Sequence, residues 1–166
     1  MRVNGITNPP KINNSAGAKV NNVAISRIGS WSAGGNLATI RYGCGGAGTQ
    51  TAGLACGGYT GGVLVKSTEE YNGTSWSGGG DLLAAVSSTN GGAGTQTSGL
   101  LFGGHNSGAK KATNYYNGSM WTADTDLNSV RDQHVGCGTR NLALCFAGRD
   151  GTGAVVNTTE EYTKAV

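Results

Sequence analysis

Thr68-Glu69-Glu70-Tyr71-Asn72-Gly73-Thr74-Ser75-Trp76 decides how this chain is read. It returns as Thr113-Asn114-Tyr115-Tyr116-Asn117-Gly118-Ser119-Met120-Trp121. In both copies Asn-Gly stands between two runs of strand-forming residues. Asn and Gly tolerate the positive φ angles of a two-residue turn, so each copy predicts a tight β-hairpin. The Trp that ends each copy sets a clock. Trp31, Trp76 and Trp121 are the only tryptophans, and they stand 45 residues apart in both steps. A fixed spacing of that kind marks an internal repeat, which governs every later inference.

Working outward, Leu37, Leu82 and Leu127 each follow their Trp by six positions, and Arg41 and Arg131 follow their leucines by four. A glycine-rich link comes next, then an apolar run closed by small residues. Its three copies end Leu54-Ala55-Cys56-Gly57-Gly58, Leu100-Leu101-Phe102-Gly103-Gly104 and Leu144-Cys145-Phe146-Ala147-Gly148. A short apolar run closed by glycines predicts a buried strand meeting a sharp turn. Gly48-Thr49-Gln50-Thr51 and Gly94-Thr95-Gln96-Thr97 lead into it identically, whereas the third repeat has Gly138-Thr139-Arg140-Asn141. A variable loop follows, then a strand ending at Tyr71, Tyr116 or Tyr162. Four short antiparallel strands in about 45 residues predict one propeller-like blade per repeat. The expected fold is therefore all-β, with residues 1–28 as an N-terminal arm and leading strand and residues 29–166 as a repeat domain.

The glycine doublet, the Tyr and the Trp shortly after it resemble the kelch repeat over residues 31–162, although the Trp stands five residues after the Tyr, which departs from the usual pattern. The stretches Gly48–Leu54 and Thr68–Trp76 also resemble the glycine-rich repeats of phage tail and virion proteins. That second resemblance implies a virion setting: a capsid decoration, fibre or tail component that touches other virion proteins and copies of itself.

Composition narrows the classes. Charged residues are 13% of the chain, about half the usual share. The net charge of +3 comes with no basic run longer than Lys110-Lys111, so neither nucleic acid nor an anionic membrane is an expected partner. No apolar run approaches the roughly 20 residues that span a bilayer. Residues 1–26 lack an apolar core and are rich in Asn, which argues against a secretory leader. The four cysteines form no C-x-x-C pair and only two histidines exist, so no metal site or cofactor is expected. Cys56 aligns with Phe102 and Phe146 and reads as a small core hydrophobe with a free thiol.

The chain starts and stops at different points of the repeat. A Trp-led strand from Trp31 has no Tyr strand before it, and the Tyr162 strand has no Trp after it. Three blades are too few to close, since propellers use about four to eight. The expectation is that the spare Trp31 strand of one subunit completes the last blade of another at Tyr162, two chains making a six-bladed ring. The alternative is three sheets about a pseudo-threefold axis. The arm, residues 1–19, reads either as unstructured or as ordered along a neighbouring subunit.

Catalytic motifs are weak. Gly43-Cys44-Gly45-Gly46-Ala47-Gly48 satisfies G-x-G-x-x-G, but the segment after it reads as a strand where a phosphate-binding helix is needed. Glu69-Glu70 and Glu160-Glu161 are adjacent, so each pair points to opposite faces of a strand, and a solvated edge is the expectation. His105 and His134 fall at different places in the repeat, and the histidines, tyrosines and cysteine of the copper site known in one kelch-like oxidase cannot be matched. No enzyme is expected. Tyr59, His105 and Arg149 directly follow the three glycine closures and mark one rim. They are the candidate binding residues for a host-surface glycan, should the chain be a receptor-binding adhesin of a phage fibre.

Overall fold

The computed structural model describes residues 29–87, 89 and 91–165, together with Lys19–Val20 and Val23–Ala24. The chain divides into two units, Met1–Ala33 and Gly34–Val166. In the first, β1 (Lys19–Val20) and β2 (Val23–Ala24) pair antiparallel. The expectations for residues 1–18 lie outside the described residues.

Among the described residues of the second unit every regular element is a strand: β3 (Gly45–Thr49), β4 (Ala52–Cys56), β5 (Tyr59–Thr60), β6 (Val63–Leu64), β7 (Thr68–Tyr71), β8 (Trp76–Gly78), β9 (Gly92–Thr95), β10 (Ser98–Phe102), β11 (Thr113–Tyr116), β12 (Trp121–Asp124), β13 (Val135–Gly138), β14 (Leu142–Phe146) and β15 (Thr159–Thr163). Apart from the small β5-β6 hairpin they form three antiparallel meanders. Sheet I is β3-β4-β7-β8, sheet II is β9-β10-β11-β12, and sheet III is β13-β14-β15. The all-β class is as the repeat implies.

The three sheets repeat in register. Cys56, Phe102 and Phe146 stand opposite Thr68, Thr113 and Thr159. Tyr71 pairs with Trp76 and Tyr116 with Trp121. The first strands lie side by side, β3 next to β9 and β9 next to β13. Glycine makes this approach possible: a Cβ on Gly92 would strike the carbonyl oxygen of Gly46, and one on Gly136 would come within 2.9 Å of Gly91 Cα. Successive sheets then bury apolar faces on each other. Leu54 and Cys56 of sheet I meet Leu82, Val86, Leu101, Tyr116 and Trp121. Leu100 and Phe102 of sheet II cluster with Ala143 and Cys145 of sheet III. A buried Trp covers roughly 150–250 Å², so Trp121 contributes on the order of 4–6 kcal/mol before entropy is counted.

Four expectations are corrected. The Asn-Gly turns are not two-residue hairpins. Residues 72–75 form a four-residue connection in which Asn72 Oδ1 accepts from the N–H groups of Thr74 (3.0 Å) and Ser75 (2.9 Å). Gly73 takes the positive φ, +92°; the carboxamide closes an Asx turn and the asparagine keeps an ordinary backbone. The two-residue turns are instead Gln50-Thr51 and Gln96-Thr97. The Trp31 segment is not a strand and pairs with none among the described residues, and Trp31 is fully exposed. Trp76 and Trp121 each begin the strand that closes a sheet instead of opening one. Sheet III has three strands and lacks a Trp-led outer strand, as the missing Trp after Tyr162 implies. Glu69, Glu70 and Glu160, expected at a solvated edge, are tied down as described next, whereas Glu161 lies exposed there as expected.

Candidate functional site

Glu69 is buried and bonded. Arg41 Nη2 donates to its carboxylate at 2.6 Å, and the backbone N–H groups of Ala38 (2.7 Å) and Thr39 (3.1 Å) donate to the same group. Arg41 Nη1 reaches the carbonyls of Gly57 (3.0 Å) and Ser67 (2.8 Å). The third repeat rebuilds this set. Arg131 donates to Glu160 (3.2 Å), Ala147 O (3.1 Å) and Thr158 O (2.7 Å), while Asn128 N and Ser129 N donate to Glu160. Each pair fastens the segment leading into a sheet onto that sheet. The middle repeat has Val86 and Asn114 at the two positions. These carboxylates are fully committed to structure, so they are not free for acid–base chemistry.

Other polar groups join one sheet to the next. Tyr116 of sheet II donates to Glu70 of sheet I at 2.6 Å. Burial, with that hydrogen bond, pushes the Tyr116 phenol up to about 12. Trp121 Nε1 donates to Thr68 Oγ1 at 2.9 Å. The Gln96 carboxamide, on the turn of sheet II, donates to the carbonyls of Gly53 (3.0 Å) and Tyr71 (2.8 Å) in sheet I. Between sheets II and III, Tyr162 donates to Asp124 (3.1 Å). Arg140 donates to Asp124 (2.6 Å) and lies 4.1 Å above the Tyr115 ring.

The rim residues fall in equivalent places. Tyr59, His105 and Arg149 form antiparallel bridges with Tyr42, Ser87 and Asp132, residues that are themselves 45 apart. That second 45-residue series leaves no mark in the sequence pattern, because its residue types differ. The rim side chains are partly engaged. Tyr59 tilts against Tyr42 at 5.5 Å between ring centres, and His105 Nδ1 lies 3.0 Å from Asp132 Oδ2. A cavity of about 180 Å³ lies away from the rim, lined in part by Phe102, Leu127, Cys145 and Tyr162.

His134 is wholly buried, stacks on Phe102 at 5.6 Å, and finds no hydrogen-bond partner for either ring nitrogen among the described residues. Burial lowers its pKa to about 4, so it is neutral at pH 7. All four cysteines are free; Cys56 and Cys145 are buried and Cys137 is exposed. The described residues hold no cluster of three metal-ligating side chains.

Two candidates remain, Tyr162 and Trp31. In sheets I and II the strand ending in Tyr is covered by a Trp-led strand, with Tyr71 and Trp76 at 5.0 Å and Tyr116 and Trp121 at 4.9 Å between ring centres. Tyr162 has no such partner: among the described residues β15 pairs only with β14. Trp31, the tryptophan left over, carries its whole ring into solvent. No protein-family model matches this sequence, and no curated protein matches it.

Proposed function

We propose that this chain is a non-enzymatic structural subunit of a phage particle, a capsid decoration, fibre or tail component. Its three repeats act as kelch-like blades of a propeller that another subunit completes. The observation that carries the reading is the outer edge of β15, which pairs with no strand among the described residues. Soluble proteins cover or blunt such edges, and strand addition from a neighbour is the usual way one is used. The latch pairs a neighbour's Trp31 segment along β15, with Trp31 over Tyr162 as Trp76 lies over Tyr71. The virion setting comes from the likeness of Gly48–Leu54 and Thr68–Trp76 to phage tail and virion repeats. Supporting a mechanical task, Glu69 and Glu160 are consumed, with Arg41 and Arg131, in fastening segments to sheets. Mass spectrometry and immunogold labelling of purified particles test the assignment. The chain is expected in every particle at fixed copy number, and its absence from them refutes the proposal.

A further inference from the structure

The two ends of the stack differ from its middle in a way that names the missing partner. Each sheet has a leading face, which packs on the sheet before it, and a trailing face, which the next repeat covers. On the trailing face, Leu54 of sheet I and Leu100 of sheet II are 3% and 1% exposed, while Leu144 of sheet III is 37% exposed. Val135, Cys137 and Leu142 share its bare surroundings. On the leading side, Ser87 and Asp132 are 7% and 8% exposed, while Tyr42, at the same place in the first repeat, is 69% exposed. Among the described residues the trailing face of sheet III is thus bare, and the leading side of sheet I is open at Tyr42.

The chemistry of the two faces matches. Thr68-Glu69-Glu70-Tyr71 in β7 and Thr159-Glu160-Glu161-Tyr162 in β15 are the same tetrapeptide. In the joint from sheet I to sheet II, Thr68 and Glu70 accept from Trp121 and Tyr116. Thr159 and Glu161 present the same two acceptors on the bare face of sheet III. Trp76 and Tyr71 present the same two donors on the leading face of sheet I. The Tyr71 hydroxyl accepts from Gly35 N at 3.4 Å, as that of Tyr116 does from Gly80 N at 3.3 Å. Only Tyr116, of the two, also has an acceptor for its proton among the described residues. Gln50 sits, exposed, where Gln96 reaches back to two carbonyls of the preceding sheet. The equivalent carbonyls on sheet III belong to Ala143 and Tyr162.

We infer that the trailing face of sheet III receives the leading face of sheet I from a second copy of this chain, repeating the joint between sheets I and II. The inference rests on the latch reading and names its partner. Tyr71 of the second copy donates to Glu161, Trp76 turns its indole N–H from Gly35 O to Thr159, and Gln50 bonds the carbonyls of Ala143 and Tyr162. Tyr42 then faces Arg149 as Asp132 faces His105. The contact is heterologous. Two copies close it into one ring of six sheets, within the range of about four to eight that propellers use.

Light scattering on the full chain, with its fold checked by circular dichroism, tests this. The expected mass is that of two chains. A single chain at all concentrations overturns the inference and the latch between copies with it, whereas presence of the chain in particles at fixed copy number tests the virion assignment separately. An open-ended series of masses overturns the closed ring. Leu144→Lys spoils the trailing face, and Tyr42→Lys, set against Arg149, spoils the leading face. Each variant alone is expected to be monomeric. Mixed, they are expected to form heterodimers through the one unspoiled joint. A Tyr42→Lys variant that stays dimeric, or a mixture that stays monomeric, overturns the head-to-tail joint. Tyr71→Phe removes a hydrogen bond to a carboxylate and is expected to weaken dimerisation on the order of 10- to 100-fold per joint.

Discussion

The arginine–glutamate pair in the first repeat can be tested against the protein's own alternative. Glu69→Ala removes the carboxylate that holds Arg41 at 2.6 Å and two backbone N–H groups at 2.7 and 3.1 Å. Both side chains are almost wholly buried, at 0% and 5% exposure, so solvent screens little of the loss. Breaking a buried pair from one side costs about 3–5 kcal/mol, because the other charge stays buried. With a urea m-value of about 2 kcal/mol per M, the unfolding midpoint falls by about 2 M. The middle repeat reaches the same local fold with Val86 and Asn114. The double variant Arg41→Val with Glu69→Asn therefore removes both charges and is expected to lose less than half as much as Glu69→Ala, about 1–2 kcal/mol. Equilibrium urea unfolding followed by tryptophan fluorescence measures both. A double variant as unstable as the single one, or a Glu69→Ala midpoint that does not move, refutes the fastening role.

Trp121→Ala is expected to cost about 3–5 kcal/mol of stability, whereas Trp31→Ala leaves the unfolding midpoint in place in dilute, unassociated protein and lowers the sedimenting mass at higher concentration; equal effects of the two on association would sink the latch. A thiol reagent at pH 8 should label Cys137 quickly in dilute protein and slowly once chains associate, because the inferred joint covers it. Cys145, whose thiol burial pushes up to about 11, and Cys56, pushed up further by burial, should label only on unfolding. His134 sets a pH dependence. The unfolded chain protonates it near its ordinary pKa of about 6.5, whereas the folded protein keeps it neutral down to about 4. The unfolded state therefore takes up the proton first, and stability falls as pH drops from about 6.5 toward 4. His134→Leu should flatten that part of the profile, and an unchanged slope would count against the histidine as its source.

The repeat is legible because three tryptophans keep one spacing and the glycine doublets recur with them. Those residues sit where the backbone admits little else: a sheet-closing ring, and a turn with φ of +65° and +105° at Gly57 and Gly58. The turn chemistry was less legible, since Asn-Gly carries the same letters in an Asx turn and in a two-residue hairpin, and only the hydrogen bonds separate them. The arginine–glutamate pairs were hidden for another reason. Arg41 and Glu69 are 28 residues apart, and only their joint loss from the middle repeat links the two positions in the sequence. Trp31 misleads because a tryptophan carries the same strand signal whether or not a tyrosine strand stands ready to receive it.

The near-naked seam where β3, β9 and β13 run together sets how such a molecule can change. Its glycines, not large side chains, fix the spacing there, so a methyl group on Gly92 acts as a wedge at a pivot. The small displacement it forces is magnified along the length of each meander toward β8 and β12. Duplicating or deleting a whole repeat, by contrast, leaves every surviving contact at that pivot as it was. Lineages of this architecture should therefore drift in blade number far more readily than in the composition of the seam.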